Sequence, residues 1–92
     1  MTGASTDNSR RFRRASELEV NEVADGFVVY QPSRDRVHYL NHTAALVLEL
    51  CTGDNSVDDI ERALKSAYDL EKPPTDDVAG CIDRFADEGL IT

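Results

Sequence analysis

Residues 25 to 53 read DGFVVYQPSRDRVHYLNHTAALVLELCTG, and the architecture is worked out from here. Phe27-Val28-Val29-Tyr30-Gln31 is the strongest β run of the chain, because β-branched and aromatic side chains suit a pleated, half-buried surface. Pro32 cannot donate to a ladder and ends that strand. Ser33-Arg34-Asp35 turns the chain, and Arg36-Val37-His38-Tyr39-Leu40 returns antiparallel. Upstream, Leu18 to Ala24 alternates loosely and runs into Asp25-Gly26, a two-residue hairpin signal. A three-stranded meander is predicted. Asn41 then caps a helix in which Ala44, Val47, Leu48 and Cys51 recur at helical spacing. Leu46 and Leu50 fall on its other side, so this helix is apolar nearly all round and reads as the buried central one, ended by Gly53.

Further along, Ser56-Val57-Asp58-Asp59 has the form of a capping box. It opens a helix whose Val57, Ile60, Leu64, Ala67 and Tyr68 make one stripe. Pro73-Pro74 interrupts the chain, and Thr75 is placed to cap a third helix with Val78, Cys81, Ile82, Phe85 and Gly89 along one face. Leu90-Ile91 close the domain. The fold class expected is α+β, winged-helix-like, with a three-stranded antiparallel sheet followed by three helices.

Ninety-two residues permit one domain with one modest core. Residues 1 to 16 have no apolar period and are rich in Ser, Thr, Asn and Arg, which suggests a flexible arm ahead of a domain over residues 17 to 92. The arm lacks the apolar segment of a secretory signal. No apolar run reaches the roughly eighteen residues of a membrane span. A cytoplasmic protein is expected. Arg10, Arg11, Arg13 and Arg14 against Asp7 give the first fourteen residues a charge of +3. From Ala15 onward six basic and seventeen acidic residues give −11. Such a body is repelled by phosphate backbones, which argues against nucleic acid as a partner.

No constellation for catalysis is present. His38 and His42 straddle a strand-to-helix junction and share no helical face. No phosphate-cradling glycine loop, nucleophile elbow or HExxH occurs. Asp58-Asp59 and Asp76-Asp77 open helices, where the dipole accounts for them. Cys51 and Cys81 stand thirty residues apart with no CxxC, so they read as buried free thiols rather than metal ligands. No cofactor is called for. Ser56 in an acidic domain of this size gives some likeness to phosphopantetheine-type carrier proteins, but the β-rich Phe27–Leu40 stands where their first helix belongs, and simple capping explains the serine. A winged-helix nucleic-acid-binding regulator shares the expected architecture. Its third helix, however, carries Asp76, Asp77, Asp83, Asp87 and Glu88 against Arg84 alone.

The order and spacing of several elements resemble the PqqD-like family. They are the β positions, Leu40-Asn41 with Thr43-Ala44, Leu48-Glu49-Leu50 with Gly53, the Ser56-Val57-x-x-Ile60 helix running to Tyr68, and Asp77-Val78 with Gly89-Leu90. The likeness covers about residues 18 to 91. The turn from Pro32 to Arg36 is longer than in the PqqD of pyrroloquinoline quinone synthesis, so the resemblance does not assign that pathway.

The resemblance implies a recognition element for ribosomally synthesised, modified peptides: a non-catalytic peptide chaperone for the leader segment of a precursor. It would present that leader to a modifying enzyme such as a radical SAM protein, a cyclase or a protease. In such domains the leader adds as a strand beside the third strand, over a groove next to the third helix. On this chain those are Arg36, Val37, His38, Tyr39 and Leu40, and the helix face Val78, Cys81, Ile82 and Phe85. A short strand without proline has unpaired backbone groups that can template another chain. Arg34, Arg36 and Arg84 are the few cations of an acidic body, suited to steering acidic leader residues.

Overall fold

The computed structural model describes residues 10–92 of the chain. Its elements are β1 (Arg11–Arg13), β2 (Glu19–Val23), β3 (Gly26–Gln31), β4 (Arg36–Leu40), α1 (His42–Leu50), β5 (Thr52–Ser56), α2 (Val57–Ala67) and α3 (Thr75–Asp87). The expected meander is present as an antiparallel sheet of order β2-β3-β4. Its register runs from Glu19↔Tyr30 to Val23↔Gly26 on one side of β3, and from Phe27↔Leu40 to Gln31↔Arg36 on the other.

Both turns follow from local chemistry. Pro32 starts a single 3-10 turn over Pro32–Arg34, where its missing N–H costs nothing. Asp35 closes that turn with a left-handed backbone (φ 50°), and its carboxylate accepts from the Tyr30 hydroxyl at 3.0 Å. The β2–β3 loop is Ala24-Asp25, one residue earlier than the Asp25-Gly26 signal suggests. Gly26 is instead the first paired residue of β3. A Cβ there would collide with the Leu40 carbonyl and reach to 3.0 Å from the Tyr39 hydroxyl, so glycine serves close strand approach rather than the turn.

The helix starts behave as the sequence indicates, with one exception. Asn41 accepts from the Ala44 N–H at 2.8 Å. Ser56 and Asp59 form the reciprocal capping box, at 3.1 and 3.0 Å. Thr75, by contrast, is the first helical residue of α3 and not its cap; its hydroxyl donates to the buried Glu61 carboxylate of α2 at 3.2 Å. The stripe of α2 ends at Leu64, because Ala67 and Tyr68 are exposed.

Strands and helices are not segregated as expected, because a second, two-stranded sheet pairs β1 with β5. β5 reads TGDNS, five residues with little strand preference, and it exists because β1 pairs with it. Helix α1 ends at Leu50, and Gly53 (φ 90°) lies within β5, where the Arg13 guanidinium packs 2.7 Å from where a Cβ would sit. The assigned arm is thus docked from residue 10 onward. Arg13 exchanges backbone hydrogen bonds with Thr92 at 3.1 and 2.9 Å, and Ala15 N donates to Leu90 at 2.8 Å. Phe12 points inward and joins the core, which supplies the apolar anchor that the surrounding arginines conceal in sequence. Residues 1–9 of that arm lie outside the described residues. The core itself lies between the inner face of the β2-β3-β4 sheet and the three helices, with Val29, Leu40, Val47, Leu48, Cys51, Ile60, Leu64, Val78, Phe85 and Leu90 all but inaccessible.

Candidate functional site

Among the described residues β4 pairs only with β3, so its far edge is open. Its side chains alternate sharply. Val37 and Tyr39 are 64 % and 51 % exposed on the outer face, whereas His38 and Leu40 point into the core. The in-plane direction of each backbone group follows from two contacts. The Leu40 carbonyl lies against Gly26 of β3. The Tyr39 carbonyl instead accepts a hydrogen bond from the Arg84 guanidinium of α3 at 3.1 Å. In an antiparallel pair a residue's N–H and C=O point to the same side, and successive residues alternate. Arg36, His38 and Leu40 therefore bond inward to β3, and Val37 and Tyr39 present their N–H and C=O at the open edge.

A buried polar relay fastens this edge to the end of α3. Gln31 is almost fully buried, and its amide nitrogen donates to the Glu88 and Gly89 carbonyls at 3.1 and 3.3 Å. With both amide hydrogens engaged, the Gln31 Oε1 can only accept, so His38 Nε2–H donates to it at 2.9 Å. Burial pushes the His38 pKa below its ordinary value; Glu88 pulls it back, while Arg36, Arg84 and Arg34 push it further down. Burial thus favours the neutral ring. Arg36 meets the Glu88 carboxylate at 3.6 Å, and the Arg34 guanidinium lies 2.8 Å from where a Cβ of Gly89 (φ 74°) would stand.

Of the residues the sequence nominates, Arg34, Arg36, Val37, Tyr39 and Arg84 gather at one exposed rim, with Cys81 half-buried beside it. His38, Leu40, Val78, Ile82 and Phe85 are buried, so these side chains support the rim rather than line an open groove. Gln31 and Glu88 were not nominated. A polar residue at the inward position of an apolar strand (Phe27, Val29, Gln31) was the available signal for the first. For the second the signal was Gly89, which does not belong to the face of α3 but stops the helix: it follows the Glu88 cap with a left-handed backbone (φ 74°), and the Gly89 and Leu90 N–H groups bond back to Ala86 and Phe85.

Apart from the rim, a concavity of about 420 Å³ opens between the β2-β3-β4 sheet and α1, its lining including Val20, Phe27, Leu46 and Tyr68 and the charged Arg14 and Glu49. Cys51 is buried, donates to the Val47 carbonyl at 3.3 Å and has its pKa pushed up to about 11 by burial. Burial raises the Cys81 thiol as well. Neither is a ready thiolate nucleophile. Among the described residues no three His, Cys, Asp or Glu side chains cluster as a metal site would require, and no helix is long and apolar enough to cross a membrane.

No curated protein and no solved structure matches this chain. One family model does, that of Coenzyme PQQ synthesis protein D (PqqD), over residues 26–91, a span holding β3, β4, all three helices and every residue of the rim. With most of its length matched in this way, the chain belongs to the PqqD family.

Proposed function

We propose that this protein is a non-catalytic, winged-helix-like chaperone that binds the leader segment of a ribosomally synthesised precursor by strand addition to β4 and presents it to a modifying enzyme. Family membership supports a place in the biosynthesis of a peptide-derived product, as the PQQ synthesis of the family's description suggests. The observation that carries the reading is the open β4 edge, where the N–H and C=O of Val37 and Tyr39 face outward beside Arg84. Backbone bonding there is tolerant of sequence, while Tyr39, Val37 and the half-buried Cys81 offer apolar surface to alternate side chains of the guest. Precursor peptide and enzyme partner follow from this reading, and so does a cytoplasmic setting.

The alternatives meet specific obstacles. Ser56 is only 8 % exposed and its hydroxyl is held in the α2 cap, which leaves a phosphopantetheine attachment little access. The exposed face of α3 is acidic and unsuited to a nucleic-acid groove.

The test is a peptide library displayed on phage and selected on the intact protein, with the recovered peptides titrated into 15N-labelled protein. Strand addition predicts that the Val37 and Tyr39 amides shift and become protected from exchange. Val37→Pro, which removes an outward donor and leaves the inner ladder whole, should weaken binding at least tenfold while retaining the native spectrum elsewhere. Shifts confined to the concavity between the sheet and α1, with Val37 and Tyr39 unmoved, would sink the proposal.

A further inference from the structure

The Tyr39 carbonyl that an added strand needs is already taken. Arg84 of α3 donates to it at 3.1 Å, and that is the only hydrogen bond of the Arg84 guanidinium among the described residues. Among the described residues no carboxylate lies within ion-pair distance of Arg84, although α3 is an acidic helix and its neighbour Glu88 is engaged with Arg36. A strand arriving beside β4 brings its own N–H to the Tyr39 carbonyl along the ladder direction and competes with Arg84 for that oxygen. The displaced guanidinium loses a charge-assisted hydrogen bond, and the acids nearest it on its own helix, Asp87 and Glu88, are exposed or shared with Arg36, so a guest carboxylate competes for it. We infer that Arg84 is an exchangeable latch on the strand-binding edge, and that the peptide it admits carries an Asp or Glu next to the residue bonded to Tyr39, whose carboxylate takes the released guanidinium.

This rests on the strand-addition reading and narrows the guest to one with an acid at a fixed register. It also runs against the net charge. A body of −11 attracts cationic peptides, so long-range electrostatics alone ranks a lysine peptide above a glutamine peptide, and both above a glutamate peptide. The latch reverses that order. Arg34 and Arg36 stand close by and add to the local positive field, but Arg36 is paired with Glu88 and Arg34 lies against Gly89, so the exchange belongs to Arg84.

The experiment uses the whole chain and three synthetic peptides, Thr-Val-Thr-X-Thr-Val-Thr with X as Glu, Gln or Lys, titrated to millimolar concentration and followed at the Val37 and Tyr39 amides. In the native protein the Glu peptide should bind about threefold tighter than Gln, the range of an exposed ion pair, and Lys should be weakest. In Arg84→Ala, an exposed helix position that tolerates alanine, the Gln peptide should bind more tightly than it does to the native protein. The Glu preference should vanish in that variant. Equal affinities for Glu and Gln in the native protein, with the Val37 and Tyr39 amides responding, overturn the latch and leave strand addition standing. Silence of those two amides with all three peptides overturns strand addition itself.

Discussion

At the scale of single residues, the relay from His38 through Gln31 to the end of α3 carries the most consequence. Gln31→Ala removes an acceptor from a buried imidazole N–H and a donor from two helix carbonyls, and should cost about 1–3 kcal/mol in urea unfolding. His38 also makes stability depend on pH. Its folded pKa lies below the ordinary 6.5, so the unfolded chain binds more protons between the two values. The stability that the neutral ring contributes is therefore complete above 6.5 and is lost as pH falls from there through the lowered folded value. Comparing urea midpoints at about pH 7.5 and about pH 5, the native protein should lose more than His38→Gln, whose amide can still donate to Gln31 but does not titrate. An equal loss in both would show that the carboxylates alone set the acid response. The caps Asn41 and Ser56 were legible because a polar residue ahead of an apolar period has one economical use. Gln31 is marked in sequence only by its inward place in an apolar alternation, and two of its three partners are backbone carbonyls more than fifty residues away.

At the scale of elements, the long periodic segments were readable and the paired polar ones were not. β3, β4 and the three helices follow from residue type and period. β5 does not, since Thr52–Ser56 is a turn-forming sequence held extended by a partner forty residues distant. β1 was hidden for the complementary reason, that its one apolar residue sits among arginines. Phe12→Ala should therefore destabilise the domain by about 3 kcal/mol in chemical denaturation, as a core truncation does, whereas the outward-facing Arg11→Ala should change it by less than about 0.5 kcal/mol. A silent Phe12→Ala would mean that residues 10 to 16 behave as a loose arm in solution. The sequence reading set strand Arg36–Leu40 beside the helix face Val78, Ile82 and Phe85 as a groove lining; the structure buries those three side chains, because sequence cannot say which side of them the core takes.

At the scale of the whole molecule, charge and packing divide the labour. The acidic body disfavours nucleic acid at any face but β1, and gel shift with random duplex at low salt should give no complex at micromolar protein. Incubation with a phosphopantetheinyl transferase and coenzyme A should leave the intact mass unchanged, since Ser56 is sealed into its helix cap. One arrangement of the backbone reaches further. Arg13 and Thr92 are hydrogen-bonded to each other, so a polypeptide enters and leaves this fold through adjacent points. The unit can consequently be spliced into a surface loop of a larger protein, or circularly permuted across that seam, with little strain on its host.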